Sequence, residues 1–97
     1  MEHPETIEFR KGLYDLIEKY GRITAYDLSK VLILQDRKES LPDTVIGLKL
    51  PSDVTHAEVM RTNVKVGWHL KRMDNIKRGK PQESYVPTKQ KYFWSLK

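Results

Sequence analysis

Five apolar side chains near the start of the chain set the problem that its fold must solve. Phe9, Leu13, Leu16, Ile17 and Tyr20 recur at i, i+4, i+7, i+8 and i+11, which lays them along one face of an α-helix. Pro4 suits a first helical position, Glu5 and Glu8 lie near the positive end of the helix dipole, and Lys19 lies near the negative end. Gly21 supplies a left-handed C-terminal cap. The spacing predicts a helix over 4–20. A helix with so apolar a face is not stable alone in water. The rest of the chain must therefore provide a layer that covers it.

That layer has to come from a short chain. Ninety-seven residues fit one domain, with a radius of gyration of roughly 13 Å and little room for a cleft between domains. A hydrophobic fraction of 38% with 32% charged residues suits a globular body with one modest core, not a disordered chain. With no cysteine, disulfides and thiolate zinc sites are excluded, and the core alone must hold the fold. A reducing, intracellular compartment is the expectation. No apolar run approaches the roughly 18 residues of a membrane span. The opening Met1-Glu2-His3-Pro4-Glu5 lacks the apolar stretch of a secretory signal.

Further elements follow in order. Arg22-Ile23-Thr24 reads as a short extended link with Ile23 pointing inward. Thr24, with Asp27 three residues on, resembles a capping box. Ala25, Leu28 and Leu32, with Val31 beside them, predict a second helix over 25–34. Pro42 and Pro51 bracket a β-branched stretch that predicts a strand over 43–50, and Ser52-Asp53 caps a turn through His56 to Val59. A third helix carries Val66, Leu70 and Met73 on a narrow apolar face. Arg61, Val64, Lys65, Trp68, Lys71, Arg72 and Asn75 lie opposite. Gly67 costs about 1 kcal/mol against Ala inside a helix. Either it lets the second helix approach closely, or the helix starts only near Gly67 and residues 63–66 are extended. The chain closes as a hairpin, with a first strand at 76–78 and a second over 91–96, where Tyr92, Trp94 and Leu96 alternate with Phe93 and Ser95. Those aromatics suit either packing against the first helix or a base-stacking platform, and the alternation favours packing.

Charge is divided unevenly along the chain. Of eighteen Lys and Arg, ten lie in residues 61–97 beside only Asp74 and Glu83, giving +8, while residues 1–60 carry −3. A concentrated cationic region raises local affinity for polyanions. The sequence shows no paired carboxylates in an apolar setting, no glycine-rich phosphate loop and no nucleophile with a plausible base. His3, His56 and His69 have no metal-ligand spacing. No catalytic residue, metal, cofactor or small-molecule substrate is expected.

Helix, short strand, helix, helix and basic-tipped hairpin is the order of a winged-helix domain, which is an α+β fold. Residues Arg22-Ile23-Thr24-Ala25-Tyr26-Asp27-Leu28 resemble the strand-to-helix entry of that family. Val66-Gly67-Trp68-His69-Leu70-Lys71-Arg72-Met73 resembles its recognition helix, and Lys91-Tyr92-Phe93-Trp94-Ser95-Leu96 its returning wing strand. The resemblance covers residues 5–32 and 60–97. It implies a single domain with a three-helix core and a wing over 76–97, interrupted by an atypical insertion over 33–59.

The implied function is sequence-specific binding of double-stranded DNA in transcription control. Arg61 and Arg72 are the candidates for base reading, because a guanidinium bonds two acceptors at once. Lys65 and Lys71 suit phosphates. Lys77, Arg78, Lys80, Lys89 and Lys91 supply the charge of the wing, which lies along the backbone or reaches the minor groove. A two-fold homodimer on a pseudo-palindromic site is expected, through an exposed part of the apolar stripe of the first helix or an unpaired edge of the 44–50 strand. Two rival readings are a protein–protein adaptor docking through Val64 and Trp68, and a binder of RNA or single strands. Trp68 separates them: it faces DNA, a second subunit, or the insertion folded back over it.

Overall fold

The computed structural model describes residues 3–45, 48–81 and 92–97, with the backbone alone at Lys80 and Pro81. Its elements are α1 (Pro4–Tyr20), β1 (Arg22–Thr24), α2 (Ala25–Asp36), α3 (His56–Leu70), β2 (Ile76–Pro81) and β3 (Tyr92–Leu96). Three helices pack with one antiparallel sheet in which β3 lies between β1 and β2. The molecule is thus α+β, and the helical layer that α1 requires comes from the other two helices and the sheet.

Local chemistry accounts for the ends of the first elements. Pro4 opens α1, and the His3 imidazole accepts from the Glu5 N–H at 3.2 Å. Gly21 ends the helix with its N–H bonded to the Ile17 carbonyl at 2.8 Å. Its φ is +83°, as a glycine cap demands, but its ψ of −63° departs from the left-handed helical value. Thr24 caps α2, its Oγ1 accepting from the Asp27 N–H at 3.1 Å. The core gathers Leu13, Leu16 and Ile17 of α1, Ile23 of β1, Leu28 and Val31 of α2, Val66 and Leu70 of α3, and Met73 and Ile76 beyond it. Ile23 points fully inward, and Trp94 and Leu96 pack on the same cluster. On α2, Val31 is fully buried while Leu32 is only half-buried. That reverses the weight the helical spacing gave them.

The connection between α2 and α3 departs from expectation. Thr44, Val45 and Leu48 to Leu50 are not in a strand, so the proposed pairing of that strand with a second copy loses its basis. The proline-bracketed stretch is pinned from outside instead. The Tyr20 hydroxyl donates to the Pro42 carbonyl at 2.7 Å, and Lys30 Nζ donates to the Leu48 carbonyl at 3.3 Å. Leu41, Val45 and Leu48 pack onto the core. Burial, with the nearby Asp43 charge, pushes the Tyr20 phenol up from its ordinary value. Arg37 pairs with both carboxylate oxygens of Asp53, one bond at 3.0 Å, and this holds the Asp53 carboxyl below its usual range. The connection is also shorter than 33–59. At its start, α2 runs on to Asp36 and closes with Lys38 N–H to Gln35 O and Glu39 N–H to Leu34 O, both at 3.0 Å. Lys38 takes a φ of 57° there, where a glycine is usual. At its far end, the turn expected through His56 is the first turn of α3. Among the described residues, no helix is long and apolar enough to cross a membrane.

Candidate nucleic-acid interface

Helix α3 starts where Thr55 Oγ1 accepts from the Glu58 N–H at 3.2 Å, with the Glu58 carboxylate in the favourable first turn. From there Val59, Val66 and Leu70 form the buried stripe, and Arg61, Val64, Lys65 and Trp68 are exposed. Val64 is 70% exposed and Trp68 49%, so a large apolar patch stands in the middle of the polar face. The helix is continuous through residues 63–66, which removes the reading in which they were extended. Gly67 admits no close neighbour either: a Cβ built there meets nothing within 4 Å.

The helix ends at Leu70, with Lys71 as its C-cap. Lys71 and Arg72 therefore sit in the turn after α3 rather than on it. Arg72 folds back over the last turn. Its Nη1 donates to the Trp68 carbonyl at 2.9 Å, and its guanidinium stands 3.8 Å from the indole centroid. Behind Trp68 lies His69, 7% exposed and edge-on to the indole at 5.0 Å. Arg10 Nε donates to His69 Nδ1 at 3.2 Å, and the Phe9 ring lies 4.7 Å from the imidazole. These contacts tie α1 to α3 and fix the base of the exposed indole.

The sheet supplies the facing wall through strand parity. Directly opposed residues of an antiparallel pair share a face, and Arg78 pairs with Trp94, as does Ile23 from the other side. Tyr92, Trp94 and Leu96 alternate onto that same face. Leu96, Trp94, Ile23 and Ile76 meet the core, whereas Tyr92 and Arg78 lie further toward the hairpin tip and run past it. Tyr92 is accordingly 37% exposed, with the Arg78 guanidinium 4.5 Å from its ring. The expected packing against the core thus holds for Trp94 and not for Tyr92. Lys77, opposite Ser95, is on the other face of the sheet.

Between these walls runs an open groove of about 670 Å³. Trp68, Lys71 and Arg72 line it from α3 and the turn after it, Arg78, Tyr92 and Trp94 from the sheet, and Tyr26 from the start of α2. The described lining includes three cations and no carboxylate. None of the described residues of 37–55 lines it.

The structure thus brings together Trp68, Lys71, Arg72 and Arg78. It does not bring in Lys65, which stands on the far side of Trp68 with Nζ 4.4 Å from the Phe9 ring. Arg61 is exposed two turns before Trp68 but does not line the groove. The Lys80 side chain, Lys89 and Lys91 lie outside the described residues. Tyr26 is not among the sequence candidates, and Tyr92 is one only as part of a base-stacking platform weighed below core packing. Tyr92 shares the parity of Trp94, so its face was readable, but its position past the core depends on the register of three strands. No family model, curated protein or solved structure matches this chain.

Proposed function

We propose that this chain is a winged-helix domain that binds double-stranded DNA in a sequence-specific, regulatory and non-catalytic role. The exposed face of α3 would enter the major groove, and the β2–β3 hairpin would lie along the backbone or in the minor groove. The element order, with β3 paired between β1 and β2, supports the winged-helix reading. The observation that carries the DNA reading is the open face of α3. Trp68 and Val64 stand out from it, Arg61 lies on the same side, and Lys71, Arg72 and Arg78 frame it with no carboxylate in the described groove lining. A major groove about 12 Å wide accepts one such helix, and an arginine can bond guanine there in bidentate fashion. Arg72 would do so by leaving the Trp68 carbonyl.

Neutralising about four to six phosphates gives a slope of roughly −4 to −5 in log K against log salt. Titrating duplex at several salt concentrations measures it, and a flat response sinks the DNA reading. Exposed Val64 and Trp68 would equally serve an adaptor that docks a protein. In that case duplex affinity stays weak at all salt concentrations.

A further inference from the structure

We infer that the groove between α3 and the sheet stacks an unpaired base, so that nucleic acid carrying an overhanging or everted nucleotide binds more tightly than a fully paired duplex. This rests on the nucleic-acid reading above and adds to it a ligand for one particular surface. A paired duplex offers only base edges and methyl groups, because its base faces are hidden in the stack. The groove offers ring faces. Trp68 with Arg72 forms one cation–ring stack at 3.8 Å, and Tyr92 with Arg78 forms another at 4.5 Å, one from the helix and its following turn, the other from the sheet, both lining the same groove.

Each stack pairs a flat surface with a positive charge, which is the combination a nucleotide presents in complement. Bases stack on aromatic rings and on guanidinium planes alike, and a guanidinium also hydrogen-bonds phosphate. An incoming base extends the stack over the guanidinium or replaces it on the ring. The volume of about 670 Å³ lies within the range of small-ligand sites. Lys71, which also lines the groove, adds a third charge for the strand that carries the base. Trp68 is backed by His69, and on the groove side it meets the exposed Arg72 side chain, which can move without unpacking the core.

The test compares three ligands at one salt concentration with the full chain. These are a blunt duplex, the same duplex with a thymidine overhang, and the same duplex with an overhang of abasic residues. The thymidine overhang should bind about tenfold more tightly than the other two, because base–aromatic stacking is sequence-tolerant and of that order. Trp68→Ala and Tyr92→Ala should each bring that ratio toward one, and Trp68→Phe should keep most of it. Equal affinity for thymidine and abasic overhangs overturns the inference, since only phosphates would then matter. If both match the blunt duplex and salt dependence stays steep, duplex binding stands and base stacking falls. If the single-stranded portion alone accounts for all binding, stacking stands and the duplex reading falls. If nothing binds at low salt, both fall.

Discussion

On the α1 side of α3, Lys65 stands over the half-buried Phe9 and His69 lies buried under Arg10. On the sheet side, Arg72 stands over Trp68 and Arg78 over Tyr92, and both rings remain open to solvent. The pairings are chemically alike. What differs is how far the rest of the fold buries the ring. Phe9 and His69 join two helices, so their contacts hold the structure together. Trp68 and Tyr92 join nothing to the core at their exposed faces, so their contacts leave surface that a ligand can use. Wheel geometry explains the split. Lys65 lies about 60° to one side of Trp68 on the helix, while Lys71 follows Trp68 in the turn after α3, so one cationic stretch becomes two neighbourhoods.

The largest effect that would test this division comes from His69→Ala. It removes the acceptor of the Arg10 Nε–H bond and the imidazole behind Trp68, and should cost about 2 kcal/mol in a denaturant melt with a much smaller loss of duplex affinity. Loss of affinity with intact stability would place His69 on the open side. Arg72→Ala should do the reverse, weakening the best duplex by about 1–3 kcal/mol and relaxing its preference. Its melting temperature should barely move, and a large drop would mean that the Arg72–Trp68 stack belongs to the core. Gly67→Ala sharpens the comparison from between the two sides. A methyl there meets no neighbour, so the helix should gain up to about 1 kcal/mol. A destabilised variant would refute the regular helix at that point. Lys65→Ala should be the mildest, at about 0.5 kcal/mol of stability from the lost cation–ring contact. Its duplex affinity should exceed that of Lys71→Ala. Equal losses from the two lysines would erase the distinction between the sides.

Local signals served α1, β1, the start of α2 and β3 well, because their determinants are near in sequence: Pro4 and Gly21, Thr24 with Asp27, and the alternation after Lys91. They failed where the determinants are distant. The β-branched run after Pro42 has strand propensity but finds no strand partner among the described residues, and Tyr20 and Lys30 take up its carbonyls instead. The extent of α3 was misjudged at both ends. Its start reads as an isolated turn because Thr62 and Asn63 interrupt the apolar face between Val59 and Val66, and its end reads too late because Met73 continues the apolar period while lying beyond the helix. Of the candidate site, Trp68 was legible as the odd residue on a cationic face. Arg78 was legible as a wing cation, but its place beside Tyr92 in the same groove was not, since that depends on the register that sets Arg78 opposite Trp94.

The order of strands in the sheet bears on how the molecule assembles. The central strand, β3, is the last in sequence, and β1 meets it across about three quarters of the chain, Arg22 against Ser95. No ladder hydrogen bond of β1 can form until that long loop closes, and the entropy lost grows with its length. The helices, whose contacts are local, are free to form first, and the sheet closes late as a clasp around them. A chain broken off before Tyr92 would lose both pairings of the sheet at once, leaving β1 and β2 as two bare edges and Ile23 without its cover.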